Sequence, residues 1–463
     1  MNRCRFRYSI WVGTFLLILQ FSIPAQEYNE LTLEDSLEIA QTDNLAIQSA
    51  KQKLIAAKSQ INLAQSALLP RLSANGNYTY FKDIQKSVIQ ADGGFGFPTP
   101  GQQGEMNQMD SPDPDNEADL IELEFGAHHN VQGTLNLTQP IFAWGRIYNN
   151  YKAAKIGYSA VEEELTSAYE SLRLTVYEAF YRVLIAQEFV KVAKQSVELV
   201  ELQLMIAENS FAAGVTTNFD VLRAKVQLAN AKSQLIQAKN RVQTAKDSYK
   251  NILNIPLAQD ISVKGSFQIQ LIENKLDELI SIAMTHRPEV KQSNLNEQIG
   301  EKQLSIAKTQ NLPDLAFFSN YQISHSERLT EMNRIWSLGL QINVPIFDGF
   351  ASRAGVKQSE STLRQIELSS KQIKSSVEFE VRSSYLALLE AKTLIDVQKE
   401  TVAQAEASVS LANLQFKSGI ITTVELTDAQ LALLQANVNR LQAQHDYVVG
   451  LAKLEKAIGQ RIQ

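Results

Sequence analysis

Two rhythms alternate along this chain. From Leu165 to Phe211, apolar residues recur at every third or fourth position, among them Leu172, Val176, Ala179, Val183, Val190, Val197, Val200 and Leu204. That spacing puts them on one stripe of an α-helix and reads as a sustained heptad-like seam. It returns from Ile373 to Phe416 through Val377, Val381, Leu388, Ala391, Ile395, Val402, Ala405, Val409 and Ala412, with Ser384 and Gln398 at two seam positions. A single helix from Gly145 to Phe211 would extend about 100 Å at 1.5 Å per residue. The arms that follow, Thr217 to Leu253 and its later counterpart, are shorter. A still shorter helix, Leu45 to Leu68, stacked on the return arm nearly matches the long helix. The expected result is a tall cylinder of helices, with the link from Pro256 to Glu273 packed beside the short helices.

The second rhythm has period two. Leu72, Ala74, Gly76, Tyr78 and Tyr80 alternate with Ser73, Asn75, Asn77 and Thr79. Val131, Gly133, Leu135 and Leu137 alternate with Gln132, Thr134, Asn136 and Thr138, and Trp336 to Val344 alternates most regularly. Leu315 to Ile323 is the irregular one, because Phe318 breaks its polar side and Ser319 its apolar side. Each run has the length of a tilted membrane-spanning strand, about ten residues. On a soluble domain the same alternation would describe two half-buried hairpins. An exported chain with uncharged polar residues on the alternate face favours strands between lipid and a wet lumen. Four strands close no barrel with a lumen, and open edges are not tolerated in lipid, so several chains must pool their strands.

The pattern occurs twice. Phe211-Ala-Ala-Gly214-Val215-Thr-Thr217-Asn-Phe-Asp220 is matched by Phe416-Lys-Ser-Gly419-Ile420-Ile-Thr422-Thr-Val-Glu425. Each ends a helix at a Gly suited to the left-handed conformation and starts another with a capping box. Pro140-Ile-Phe142 matches Pro345-Ile-Phe347 at the same offset, and Leu69-Pro70 matches Leu312-Pro313. The chain is therefore read as a tandem duplication. A signal peptide over 1–25 is followed by a first repeat over 26–256, a linker over 257–275 and a second repeat over 276–463. The first repeat holds a helical hairpin over 145–253; the second holds a strand pair over 315–345 and a hairpin over 350–458. The first repeat also carries an extra loop over 82–127, rich in Asp and Glu and broken by Gly and Pro. It is expected to be a flexible, solvated excursion without periodicity.

Composition narrows the function. Arg3, Arg5 and Arg7 precede an apolar run from Ile10 to Ile23, and Ala25 offers a cleavage site, which indicates export. The net charge is −6 and no basic stretch follows the leader, so a nucleic-acid partner is not expected. The single cysteine, Cys4, lies in the leader, leaving no thiol chemistry in the mature chain. No nucleophilic triad, metal-spaced cluster or phosphate loop is present; His128-His129 is at most a weak metal site. Neither an enzyme nor a cofactor is expected.

In this order and twice over, the Leu-Pro before each first strand, the Pro-Ile-Phe with Gly145 or Gly349 after the second, and the Phe-x-x-Gly hairpins resemble the TolC-type outer-membrane efflux family. The resemblance implies an α+β, mainly α fold. Four strands per chain enter a trimeric, twelve-stranded outer-membrane barrel, continuous with a long periplasmic helical barrel. It implies a homotrimer in outer-membrane lipid that works with a periplasmic adaptor protein and an inner-membrane transporter, conducting passively for efflux or type I secretion. In relatives, acids after the second hairpin narrow the periplasmic entrance. The matching positions are Glu425, where the family more often has Asp, and Asp428. Asp220 is the first-repeat equivalent of Glu425. Capping alone accounts for Asp220 and Glu425, whereas Asp428 has no capping role and its counterpart is Arg223, so Asp428 ranks first as a gate residue. Ala212, Gly214, Val215, Ser418, Gly419 and Ile420 are the expected adaptor-docking surface, although the glycines also serve simply to end helices. The competing expectation is a periplasmic coiled-coil scaffold without a pore, which leaves the alternating strands unexplained.

Overall fold

The computed structural model describes residues 30–90, 120–125, 127–270, 272–326 and 331–462. The expected signal peptide and the middle of the acidic insertion lie outside the described residues. The first repeat supplies α1 (Leu33–Asp43), α2 (Leu45–Ser66), β1 (Arg71–Tyr80), β2 (Gln85–Gln90), β3 (Leu120–Phe125), β4 (His129–Phe142), α3 (Arg146–Ala212) and α4 (Asn218–Leu253). The second supplies α5 (Leu276–His286), α6 (Pro288–Lys308), β5 (Asp314–Ser326), β6 (Asn333–Asn343), α7 (Ala351–Lys417) and α8 (Thr423–Ile458). Two compact units result, and each takes segments from both repeats. One contains residues 30–44, Leu172–Gln270 and Leu389–Ala452; the other contains Leu45–Ser171, Leu271–Leu388 and Lys453–Gln463.

In the first unit the seam residues of α3 form the core. Val176, Phe180 and Val183 pack with Tyr249 and Leu253 of α4 and with Ile261 and Val263 of the linker. The linker is held by a parallel bridge between Leu31 and Val263, in which the Leu31 N–H donates to the Ser262 carbonyl at 2.8 Å. Gly265 makes this close approach possible, because a Cβ there would lie 2.9 Å from the Phe180 ring. Tyr249 donates its hydroxyl to Ser36 of α1, and burial pushes that phenol well above its ordinary pKa. Further along the hairpin, Val197 and Val200 of α3 meet Ala231 of α4. Ala224, Ala231, Ala238 and Ala245 are all buried and stand one heptad apart, a small-residue seam that lets helices approach closely.

The second unit holds the strands. The main sheet has order β1-β4-β5-β6 and is antiparallel throughout. Leu72 lies opposite Leu137, Ala74 opposite Leu135, and Leu135 opposite Tyr321, while Phe317 faces Leu340 and Leu315 faces Ile342. Directly opposed residues share a face, so these pairs make one side apolar. Ser73 with Asn136, Asn75 with Thr134, and Asn320 with Ser337 make the other side polar. The two irregular residues of β5 are accounted for across the strand pair. Ser319 accepts from the Trp336 indole at 2.9 Å on the apolar face. Phe318 lies over Gly339, where a Cβ would approach its ring to 3.0 Å. An aromatic covering a strand glycine is a recurrent packing device. Among the described residues nothing covers the apolar side: Trp336 is 70%, Leu338 61%, Leu340 63% and Ile342 67% exposed. A soluble half-buried hairpin would pack that side against a core.

The acidic insertion corrects the sequence expectation. Its two ends are not loop; β2 and β3 pair antiparallel, from Gln85 with Phe125 to Gln90 with Leu120, as a separate two-stranded sheet. Ile121, Leu123 and Phe125 alternate with Glu122 and Glu124, a period-two signal that the surrounding Gly, Pro and Asp residues obscured.

Strands give way to helices through two successive left-handed residues in each repeat. These are Trp144 (φ 51°) and Gly145 (φ 77°), then Gly349 (φ 64°) and Phe350 (φ 68°), so glycine and aromatic exchange places. A large side chain in this region costs on the order of 1 kcal/mol or more. Contacts hold both aromatics there. Trp144 donates to the Pro313 carbonyl at 2.7 Å and packs edge-on to Phe142, while Phe350 packs edge-on to Phe347. Among the described residues no helix is long and apolar enough to cross a membrane.

Candidate functional site

Both hairpin turns lie in the first unit and carry every residue the sequence nominates. α3 ends at Ala212 and turns through Gly214 (φ 71°); α7 ends at Lys417 and turns through Gly419 (φ 71°). The Val215 N–H reaches back to the Ser210 carbonyl at 2.9 Å and the Gly214 N–H to Phe211 at 2.9 Å. Ile420 to Gln415 at 2.9 Å and Gly419 to Phe416 at 3.0 Å repeat the arrangement. Both are Schellman ends, which satisfy the last carbonyls of a helix through a left-handed residue that glycine adopts without steric cost. The chain then projects Val215 and Ile420 into water, at 81% and 71% exposure. Ala212, Gly214, Ser418 and Gly419 are exposed as well, so the six docking candidates form one outward patch on each tip.

The acids fall into two kinds. Asp220 Oδ2 accepts from the Thr216 hydroxyl at 2.6 Å, the Thr217 hydroxyl at 2.8 Å and the Thr217 N–H at 3.2 Å. These donors, the Thr216 hydroxyl foremost, hold its carboxyl below the ordinary aspartate value. Glu425 Oε2 accepts from the Thr422 N–H at 2.7 Å and its hydroxyl at 2.9 Å, and is lowered for the same reason, the backbone bond being the larger. Both carboxylates thus close capping boxes. Asp428, three residues beyond Glu425, is exposed, and its side chain has no hydrogen-bond or ion-pair partner among the described residues. Of the three acids it is the one that closes no capping box.

A cleft of about 460 Å³ brings the two tips together. Ser210, Val215, Asp220 and Arg223 line it from the first hairpin, and Phe416, Thr422 and Val424 from the second. Glu425 and Asp428 do not line it. Sequence reasoning missed two features here. Thr216 adds a third donor to Asp220. Val215, Phe219, Leu222 and Val226 form an exposed apolar stripe on the first tip, with Phe219 70% exposed. Their spacing of four, three and four is visible in the sequence, but it lies off the internal seam and was masked by it.

His128 and His129 are engaged by their neighbours. His128 Nδ1 lies 2.9 Å from the Phe81 carbonyl and His129 Nδ1 2.7 Å from the Tyr78 hydroxyl. Among the described residues no three His, Cys, Asp or Glu side chains come together as a metal site.

A family profile described as "Outer membrane efflux protein" matches residues 37–254 and again residues 279–460. The chain belongs to the outer membrane efflux protein family. That family consists of channel proteins, and this member is an outer-membrane protein whose helical part lies in the periplasm. It is similar to the alkaline protease secretion protein AprF of Pseudomonas aeruginosa, at 22% identity over 97% of this chain and 88% of AprF. It is also similar to the cobalt-zinc-cadmium resistance protein CzcC of Cupriavidus metallidurans, at 25% identity over 66% of this chain and 72% of CzcC. Among solved structures, the CmeC outer membrane channel of Campylobacter jejuni superposes with a TM-score of 0.75 at 17% identity, covering 92% of this chain and 85% of CmeC. In this outer membrane efflux protein the uncovered apolar side of the main sheet is accordingly the side that meets lipid.

Proposed function

We propose that three copies of this outer membrane efflux protein pool their sheets into one barrel. That barrel is the exit of a tripartite efflux or type I secretion assembly, fed by an inner-membrane transporter through a periplasmic adaptor. The observation that carries this reading is the strand order β1-β4-β5-β6, which among the described residues leaves β1 and β6 as open edges. In lipid an unpaired backbone group costs several kcal/mol, so both edges need partners. β1 leads away from the helix before it, and β6 leads back to the helix after it. The β1 of a second copy therefore fits antiparallel beside β6, and the alternation continues until the ring closes. The exposed stripe of Phe219, Leu222, Val226 and Ile236 on α4 supplies an apolar helical surface on the same chain. The duct conducts passively and catalyses no reaction. Its adaptor docks on the tips through Val215, Ile420 and the four small residues beside them.

Three copies of Asp428 would ring the entrance, concentrating cations and repelling anions. In planar bilayers Asp428→Ala is expected to raise single-channel conductance and to raise, several-fold, the concentration of a trivalent cation needed for half-block. Unchanged conductance and block would remove Asp428 from the entrance. The assembly itself is tested on carbonate-washed outer membranes. Extraction in mild detergent should yield a protein mass near three chains that falls to one chain on boiling. A chain that washes off and runs as a monomer would contradict the barrel.

A further inference from the structure

At the ends farthest from their helices, β4, β5 and β6 carry two histidines and an arginine on the apolar face. Tyr78 lies opposite Val131 and Tyr80 opposite His129; Val131 also lies opposite His325, Ile323 opposite Arg334 and Tyr321 opposite Trp336. Opposed residues share a face, as do alternate residues along one strand. His129, His325 and Arg334 therefore stand on the same side as Leu72, Leu135 and Leu338. They step diagonally from β4 to β6, His325 standing opposite Val131 and Arg334 opposite Ile323, among the rings of Tyr78, Tyr80, Tyr321 and Trp336. All three are exposed. The side chains of Arg334 and His325 have no hydrogen-bond or ion-pair partner among the described residues, and no carboxylate shares this face of the four strands.

An arginine facing lipid is costly at the bilayer midplane and close to neutral near the interface. Tyrosine and tryptophan settle at the headgroup level. Both preferences put these residues where the acyl chains end and the headgroups begin. The connected helices lie at the opposite strand ends and in the periplasm, so the headgroups here belong to the outer leaflet. A guanidinium fork matches two phosphate oxygens at once, and imidazole N–H groups add further donors.

We propose that His129, His325 and Arg334 bind the phosphate group of an outer-leaflet lipid, tying each copy of the barrel to a phosphorylated headgroup. This rests on the pooled-barrel reading. The test uses the assembled full chain in mild detergent, with dimyristoyl phosphatidic acid and the same-chain diacylglycerol as probes and native mass spectrometry as readout. Wild type should retain the phosphorylated lipid in preference to the diacylglycerol. The double variant Arg334→Gln/His325→Gln should lose that preference by on the order of tenfold, while the polar-face control Ser337→Ala keeps it. Equal retention of the two lipids by wild type, or an undiminished preference in the double variant, would overturn the site. So would inorganic phosphate competing as well as the lipid, which would mark an anion site without lipid selectivity. The same spectrum gives the mass of the assembly. A single-chain mass overturns the barrel and this surface with it; a three-chain mass without lipid preference overturns the lipid site alone.

Discussion

Replacing Arg287 with Met is expected to destabilise the strand-bearing unit by about 3 kcal/mol, the low end of the range for breaking a buried ion pair. Arg287 is 6% exposed at the junction of α5 and α6. Each of its three guanidinium nitrogens has its own partner. Nε donates to Glu289 at 3.0 Å, Nη2 to Glu380 of α7 at 2.6 Å and Nη1 to the Ala457 carbonyl, near the end of α8, at 3.0 Å. Glu289 in turn accepts from Ser167 of α3 at 2.8 Å. One side chain therefore couples four helices, and its loss leaves a half-buried carboxylate and a helix-end carbonyl unpaired. Glu289 and Glu380 keep some solvent, which places the cost at the low end. The backbone is equally close: Gly459 has φ 75°, and a Cβ on it would lie 2.9 Å from the Arg287 Cα.

The readout is the temperature at which the assembled species dissociates on heating, expected to fall by on the order of 5 °C or more. An unchanged temperature would show the network to be idle. Its pH dependence has a definite sign. Burial raises the Glu289 pKa, but its own backbone N–H, Ser167 and Arg287 outweigh that and leave it below 4.5. A carboxyl lowered on folding contributes fully above its ordinary value and loses that contribution as pH falls through the folded value. Wild type and Arg287→Met should therefore differ most at neutral pH and converge in acid below the ordinary glutamate range.

Nothing in the local sequence announces this clamp. Arg287-Pro288 reads only as the start of a helix, because Pro suits its first position. The partners are more than a hundred positions away in α3 and α8, and single-sequence periodicity carries no information about such pairs. The strands and long helices were legible because their signal is repeated by many residues: a seam over Val176, Val183, Val197 and Val200, or the alternation of Trp336 to Ile342 with Ser337 to Asn343. Features resting on one or two residues were legible only as irregularities. Phe318 and Ser319 looked like flaws in β5 until the cross-strand partners Gly339 and Trp336 accounted for them. The exchange of Trp144-Gly145 for Gly349-Phe350 was invisible, since either order satisfies a two-residue left-handed turn once its aromatic is held. At the tips, the capping boxes were written in the Thr-x-x-acid spacing, whereas the third donor, Thr216, depended on where the turn placed its hydroxyl.

Leu338→Arg is expected to abolish assembly in the membrane, while its neighbour Ser337→Arg assembles normally. The two residues are adjacent on β6, differ in side and sit at the same depth, so the comparison isolates the face. Leu338 is opposite Ser319 in the middle of the apolar band, 61% exposed, with Leu340 and Trp336 beside it. A charge on the lipid side near mid-depth costs about 2–4 kcal/mol per chain, and every copy in a closed barrel bears it. Ser337 lies opposite Asn320 on the polar side, where a guanidinium keeps its water. Cell fractionation followed by unboiled gel electrophoresis reads the outcome. The assembled species should vanish for Leu338→Arg and persist for Ser337→Arg, the latter with altered ion selectivity because a cation has entered the lumen. Equal assembly of the two variants would mean that the apolar side does not meet lipid. The reverse outcome would mean that the sheet is inverted, with polar rows facing hydrocarbon, an arrangement that the desolvation cost of Asn75, Asn136 and Asn320 argues against. The same logic separates the channel from the pore-free scaffold. A scaffold would have to cover Leu338, Leu340 and Ile342 with protein, so its tolerance of charge would follow packing against a partner and not depth in a bilayer.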